Sequence, residues 1–244
     1  MTLRIVFMGT PDFSVPSLEA IHRAGYDIAM VVTAPDRFAG RGRKLRPPPI
    51  KSKAQALGIP IMQPEDVNAP DALTALRRCA PDVVVVVSYG QILKSDCLAI
   101  PVHGCINLHP SLLPKYRGAA PIQYALLNGE RVTGVTTIFM NERMDAGDII
   151  LQREVPIHED DTAKTLAQRL AIEGAQLLVE TLALIADGRA PRIPQDESQA
   201  TYAPRISKDM ARIDWRQSVV RIMNQVRAFN PQPGAYTTWH GRIV

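Results

Sequence analysis

A chain of 244 residues with 46% apolar and 21% charged positions has the make-up of an ordinary folded protein, which excludes collagen, coiled coil and wholesale disorder. Its densest apolar stretch, Val83 to Val87, is one buried strand long, far short of the roughly 20 residues of a membrane helix. The net charge of +4 is compatible with an anionic partner without naming one.

Leu3 to Phe7 predicts a strand that Gly9, Thr10 and Pro11 break at once, so the start carries no signal-peptide core and a cytoplasmic location is expected. Ser14 to Ala24 predicts a helix, with Ser14 able to cap, Pro16 in the first turn, and Leu18, Ile21 and His22 on one face. Asp27 to Thr33 is the next strand and completes a βαβ unit. The turn Met8 to Phe13 lies where a nucleotide-binding loop would, but it lacks the GxGxxG glycines, and a tight turn packed by Phe13 is the simpler reading. Asp36 to Lys53 then gathers Arg37, Arg41, Arg43, Lys44 and Arg46 between glycines and prolines. A long connection is expected there, either a solvated basic loop or a phosphate-binding one.

Val83 to Ser88 and Gly104 to His109 are two further strands, and the alternation with helices predicts a parallel sheet. Asn107 and His109 are two apart at a strand end, so their side chains share one side. There an amide can stabilise a developing oxyanion and an imidazole can move a proton; a structural histidine beside a turn-forming asparagine is the plainer alternative. Thr133 to Met140 and Ile149 to Val155 are read as a later strand pair. In their connection, Met144 to Asp148, Asp145 could hold the tautomer of His109, although spacing does not establish the contact. Ser111 lacks the GxSxG setting of a nucleophile. Cys79, Cys97 and Cys105 form no CxxC pair, so buried thiols are expected.

Asp161 or Thr162 caps a long helix whose Leu166, Leu170, Leu177, Leu178, Leu182 and Ile185 keep a 3.6-residue period until Gly188. The first domain is expected over 1–188. Prolines at 191, 194 and 204 predict an ordered or semi-extended linker over 189–206. A second module, 207–244, is read as a helix from Asp214 to Phe229, through Val219, Ile222, Met223 and Val226, and strands Ala235 to Trp239 and Arg242 to Val244 around His240-Gly241. A lone hairpin is marginal in water, so this module is expected to be incomplete.

Taken together, Asn107-Leu108-His109-Pro110-Ser111-Leu112-Leu113-Pro114, Arg117-Gly118-Ala119-Ala120-Pro121-Ile122 and Met144-Asp145-Ala146-Gly147-Asp148 resemble the signature of the folate-dependent formyltransferases. The opening Phe7 to Phe13, the basic segment, and Arg227-Ala228-Phe229-Asn230-Pro231 resemble the branch that formylates initiator methionyl-tRNA. The resemblance implies an α/β fold: a Rossmann-like catalytic domain with a mostly parallel sheet, a linker, and an OB-like β-barrel of which only the start is present. It implies 10-formyltetrahydrofolate as donor, with no metal, and Asn107, His109 and Asp145 as the catalytic set. It also implies a folate site lined by Ser111, Leu112, Leu113 and Pro114 and by Ser88, Tyr89, Gly90 and Gln91, and tRNA contacts from the five basic residues above. A monomer and no membrane contact are expected. Two alternatives stay open: the same chemistry on a nucleotide-linked amino sugar, which would not need so basic a segment, and a tRNA- or folate-binding module without turnover.

Overall fold

A computed structural model describes residues 3–39 and 44–244, with the side chains of Ala39 and Lys44 outside that description. In chain order the elements are β1 (Arg4–Gly9), α1 (Val15–Arg23), β2 (Asp27–Val32), β3 (Arg37–Ala39), β4 (Lys44–Arg46), α2 (Pro49–Ala56), β5 (Ile61–Met62), α3 (Pro70–Arg78) and β6 (Val83–Val87). There follow α4 (Ser95–Leu98), β7 (Cys105–His109), α5 (Pro121–Leu127), β8 (Val132–Phe139), β9 (Ile149–Pro156), α6 (Ala163–Ala186), α7 (Val219–Ala228), β10 (Thr238–Trp239) and β11 (Arg242–Ile243).

The main sheet has the order β5-β2-β1-β6-β7-β8-β9. Its first five strands are parallel; β8 pairs antiparallel with β7, and β9 pairs antiparallel with β8, so that only β8 runs against the others. The chain winds from β1 outward through β2 to β5, then crosses back to lay β6 on the other side of β1. That reversal opens a crevice at the carboxyl ends of the central strands, the place where such sheets hold ligands.

Alternation along the strands sorts side chains into two layers. Ile5, Phe7, Val83, Val85, Ile106 and Leu108 pack with Leu18 and Ile21 of α1 and Leu170, Leu177 and Leu178 of α6. Val6, Met8, Val84, Val86 and Cys105 pack on the opposite face with Leu73 and Leu76 of α3. Both faces of β6 are therefore covered, which is why it reads as five consecutive valines rather than as an alternation. Thr162 caps α6 by accepting from the Thr165 N–H at 3.2 Å, and Thr165 returns the bond to the Thr162 N–H at 2.9 Å. Within α6, a Cβ on Gly174 would stand 2.6 Å from Leu108 Cδ2. The glycine lets the helix lie directly on β7, the strand that carries Asn107 and His109.

Three expectations need correcting. The segment 36–53 is not one loop: β3 and β4 pair as an antiparallel hairpin with Arg37 opposite Arg46, and α2 begins at Pro49 with Ile50 fully buried. Proline suits a first helical turn, where its missing N–H has no partner to lose. The C-terminal helix starts at Val219, because Asp214 closes a turn with the Arg216 N–H and Ser218 provides the cap, accepting from Arg221 N at 3.3 Å. Its apolar spacing is real, but the face packed toward α5 is formed by Asn224 and Ala228, with Phe229 fully buried behind them. Val219, Val220 and Met223 are 76%, 70% and 54% exposed. The final strands are shorter than expected, since Tyr236 pairs with Arg212 and only Thr238–Trp239 and Arg242–Ile243 form the hairpin, around positive-φ His240 and Gly241.

Candidate active site

A cavity of about 740 Å³ lies at the carboxyl ends of β6 and β7, within the range that holds a drug-sized ligand. Val86, Ile92, Leu93, Ile138 and Met140 give it apolar walls, Asn107 and His109 stand at its floor, and Asn141 to Asp145 form one side. Asn107 and His109 share the strand face that also carries Cys105. His109 is 4% exposed, and its Nε2 lies 2.9 Å from the Tyr116 carbonyl oxygen. A carbonyl can only accept, so Nε2 carries the hydrogen and Nδ1 is the nitrogen left to gain or lose a proton. Nδ1 faces Asp145 Oδ2 at 3.7 Å, close enough for charge to be felt but longer than a hydrogen bond. The Asn107 amide donates to Asp145 Oδ1 at 3.4 Å, and the Gly118 N–H donates to Asp145 Oδ2 at 2.8 Å. The three side chains that the sequence singles out thus meet at one point.

The backbone around them is held in unusual conformations. Ser88, Tyr116 and Asp145 have φ values of 50°, 62° and 50°, and Gly90 and Gly118 have 95° and 119°. Left-handed backbone at a non-glycine residue costs about 1–3 kcal/mol, and surrounding bonds must hold it there. Tyr116 is held at both ends: its N–H donates to Thr201 Oγ1 at 2.9 Å and its hydroxyl to Glu130 at 2.6 Å. Burial, reinforced by Glu130, pushes that phenol up to about 12. Gly147 has no room for a side chain, since a Cβ would meet the Phe139 carbonyl oxygen at 1.7 Å.

The expected donor site is divided by the structure. Ser88, Tyr89, Gly90 and Gln91 line the cavity; Ser111, Leu112, Leu113 and Pro114 do not. Ser111 is fully buried, with its hydroxyl on the Lys115 carbonyl at 2.6 Å. Leu113 is 3% exposed and gives its N–H to Thr136 Oγ1. Leu112 fills the space over Gly134, where a Cβ would come within 2.5 Å of its methyl. These residues frame the turn after His109 from behind instead of facing the cavity. On the other side, the Tyr89 ring packs with Val6, Val84 and Cys97, and burial pushes its phenol strongly up. The turn after β1 braces this loop, with the Thr10 hydroxyl donating to the Tyr89 carbonyl at 2.8 Å.

Of the basic residues, Arg37 and Arg46 are exposed on the β3–β4 hairpin. Arg41 and Arg43 lie outside the described residues, as does the side chain of Lys44. The same hairpin exposes Phe38 and Leu45, at 71% and 57%, directly opposite one another. Lys51 is turned inward instead, 2.8 Å from Asp36, whose carboxyl Gln63 and Lys51 hold below its usual value.

Arg117 stands in a sequence motif without an assigned role, and nothing local in the sequence marks Gln195 or Glu197. Arg117 is 2% exposed. It donates to Gln195 Oε1 from Nε and Nη2 at 3.0 and 2.7 Å, and to the Glu197 carboxylate at 2.9 and 3.2 Å. Glu197 holds the guanidinium above its ordinary value against the opposing effect of burial. Both acceptors come from the connection after α6, and Arg205 and Ile206 at its far end reach the cavity lining.

Comparison with known proteins bears on this site. Residues 3–182 match the family model described as formyl transferase, and residues 205–244 match the formyl transferase C-terminal domain. A methionyl-tRNA formyltransferase of Pelotomaculum thermopropionicum is 52% identical over 242 residues, 99% of this chain and 77% of that protein. One of Moorella thermoacetica is 54% identical over 239 residues, 98% of this chain and 77% of that protein. Among solved structures, a sugar N-formyltransferase from Shewanella sp. superposes with a TM-score of 0.75 at 20% identity, over 99% of this chain and 95% of that one, a likeness of fold.

Proposed function

This chain belongs to the formyl transferase family, and from that premise we propose that it passes a formyl group from 10-formyltetrahydrofolate to the α-amino group of initiator methionyl-tRNA. The acceptor is that of relatives about half identical over nearly the whole chain. The observation that carries the assignment to this cavity is the meeting of Asn107, His109 and Asp145 at its floor.

The cavity suits the donor on its own chemistry. Its apolar walls can take a flat heteroaromatic ring, and the loop at 88–91, turned twice through positive φ, offers peptide groups rather than long side chains for the ring's edge. The donor supplies an activated formyl carbon. The acceptor amine attacks that carbon, a new C–N bond forms, the bond to the folate nitrogen breaks, and one proton passes from the attacking nitrogen to the leaving one. The Asn107 amide is placed to donate to the formyl oxygen as charge builds on it. His109 Nδ1 takes the proton from the amine and returns it to the leaving nitrogen, while Asp145 offsets the transient imidazolium charge. Arg37, Arg41, Arg43, Lys44 and Arg46 act on tRNA phosphates.

The test is a competition assay in which charged initiator tRNA and a nucleotide-linked amino sugar are offered with the same donor. Formylation of the tRNA is expected. Preferential formylation of the sugar, or tRNA binding with no transfer at saturating donor, would overturn the reading.

A further inference from the structure

We propose that Gln195 and Arg117 are positioning residues for Asp145, so that the connection after α6 is a working part of the active site. The inference rests on the catalytic reading of Asp145 above and adds what holds that carboxylate in place. The Gln195 amide nitrogen donates to the carbonyl oxygens of both Asp145 and Gly147, each at 2.8 Å. Its two hydrogens therefore pin the backbone on either side of Ala146, across the turn that keeps Asp145 at φ 50°. The amide oxygen accepts from Arg117 at 3.0 and 2.7 Å. All four bonding positions of the side chain are used, which no other amino acid could reproduce there.

Arg117 closes the circuit. The residue after it, Gly118, donates its N–H to the Asp145 carboxylate, and the residue before it, Tyr116, takes the His109 Nε2 hydrogen on its carbonyl. The three-residue turn 116–118 thus touches both catalytic partners through backbone atoms. The Arg117 side chain, buried between them, ties that turn to Gln195 and so back to the Asp145 peptide. Glu197 completes the arginine's bonding, and Arg143, two residues before Asp145, pairs with Glu197 at 2.5 Å. Bonds between main chains fasten the strap: Ile193 exchanges two with Ile149, Ala203 and Arg117 are joined at 2.7 Å, and Arg117 N reaches Thr201 O at 2.9 Å. A spacer with no task at the site would not commit a half-buried amide to the backbone of the acidic turn and tie a buried guanidinium to that amide.

The test is a cycle of single-turnover formyl transfer rates at saturating substrates for Gln195→Ala, Asp145→Asn and the double variant. Gln195→Ala is expected to slow chemistry at least tenfold with the KM for both substrates within about threefold. In the Asp145→Asn background the same change should cost less than twofold, because its effect runs through Asp145. Equal cost in both backgrounds overturns the proposal, as does an unchanged rate in Gln195→Ala while Asp145→Asn is slow. If Asp145→Asn is itself fast, the catalytic reading of Asp145 is what fails. A second readout needs no turnover: hydrogen exchange of the Gly118 amide, which is expected to speed up at least tenfold in Gln195→Ala. Gln195→Glu keeps the size and the bond to Arg117 but removes both donors, and should exchange as fast; unchanged Gly118 protection in both variants overturns the proposal.

Discussion

Residues 36–53 and 189–206 are two connections that the sequence marks with prolines, and they differ in where their polar groups go. In the first, Arg37 and Arg46 face each other across two short strands and point to solvent, beside an exposed Phe38–Leu45 pair. Like charges set opposite one another weaken a hairpin, so this arm keeps its charge at a cost in local stability. In the second, a half-buried Gln195 and an exposed Glu197 saturate a buried arginine and, through Gln195, two peptide carbonyls next to the cavity floor. A connection becomes part of a site when its side chains satisfy buried groups that nothing nearer in the chain can reach. On the proposed reading, the β3–β4 hairpin of the first segment meets a partner outside the molecule, and the second segment holds the acidic turn in place.

Changes on the clamped side should be the most damaging. Asn107→Ala is expected to slow formyl transfer on the order of 10²–10³-fold, the usual cost of removing one oxyanion donor, with circular dichroism unchanged; single-turnover kinetics measures it. Gly147→Ala forces a Cβ against the Phe139 carbonyl and should lower unfolding free energy by about 3 kcal/mol, the upper end for overpacking, as read from urea unfolding.

How much of this was legible beforehand depends on whether the cue was local. Asn107 and His109 are two apart on one strand, so their shared side followed from the period of a strand, and the long α6 followed from leucines at helical spacing. Asp145 could be named but not placed, because its contact with His109 crosses 36 positions of chain and depends on a left-handed turn. Gln195 carries no local signal: a glutamine among prolines looks like any solvated linker residue until the Asp145 and Gly147 carbonyls are seen beside it. Ser111 to Pro114 went the other way. Adjacency to His109 suggests a surface that faces the donor, whereas the turn places residues 111–114 outside the cavity lining. In the C-terminal helix the spacing marked an apolar stripe correctly, but spacing does not say which face finds a partner, and the packed one is Asn224 and Ala228.

A smaller effect is expected at the start of α6. Burial alone would push the Asp161 carboxyl up, but hydrogen bonds from Arg169, the His158 N–H and Thr165 outweigh it and hold it below its ordinary value of 3.8. A carboxyl depressed in the folded state adds stability that is complete above about pH 4 and is lost as pH falls through the lower folded value. Asp161→Ala should therefore cost about 2 kcal/mol at neutral pH, near the worth of charged hydrogen bonds, and the gap to the parent should narrow in acid; a gap that widens below pH 4 would contradict the account. On the arm, replacing Arg37 and Arg46 with alanine should change unfolding free energy by less than about 0.5 kcal/mol, as surface changes do. Instead it should lower the salt dependence of tRNA binding by roughly one phosphate contact for each arginine.

The division of labour itself is tested most directly by measuring, side by side, the tRNA dissociation constant and the single-turnover formyl transfer rate at saturating methionyl-tRNA for His109→Ala and for the Arg37→Ala, Arg46→Ala pair. His109→Ala is predicted to bind tRNA as the parent does and to lose about 10³-fold in rate, within the range of a lost acid–base group. The arginine pair is predicted to bind weakly and, once saturated, to react at the parent's rate. A histidine variant that reacts near-normally, or an arginine pair that stays slow at saturation, would contradict the separation of a clamped chemical site from an exposed binding arm.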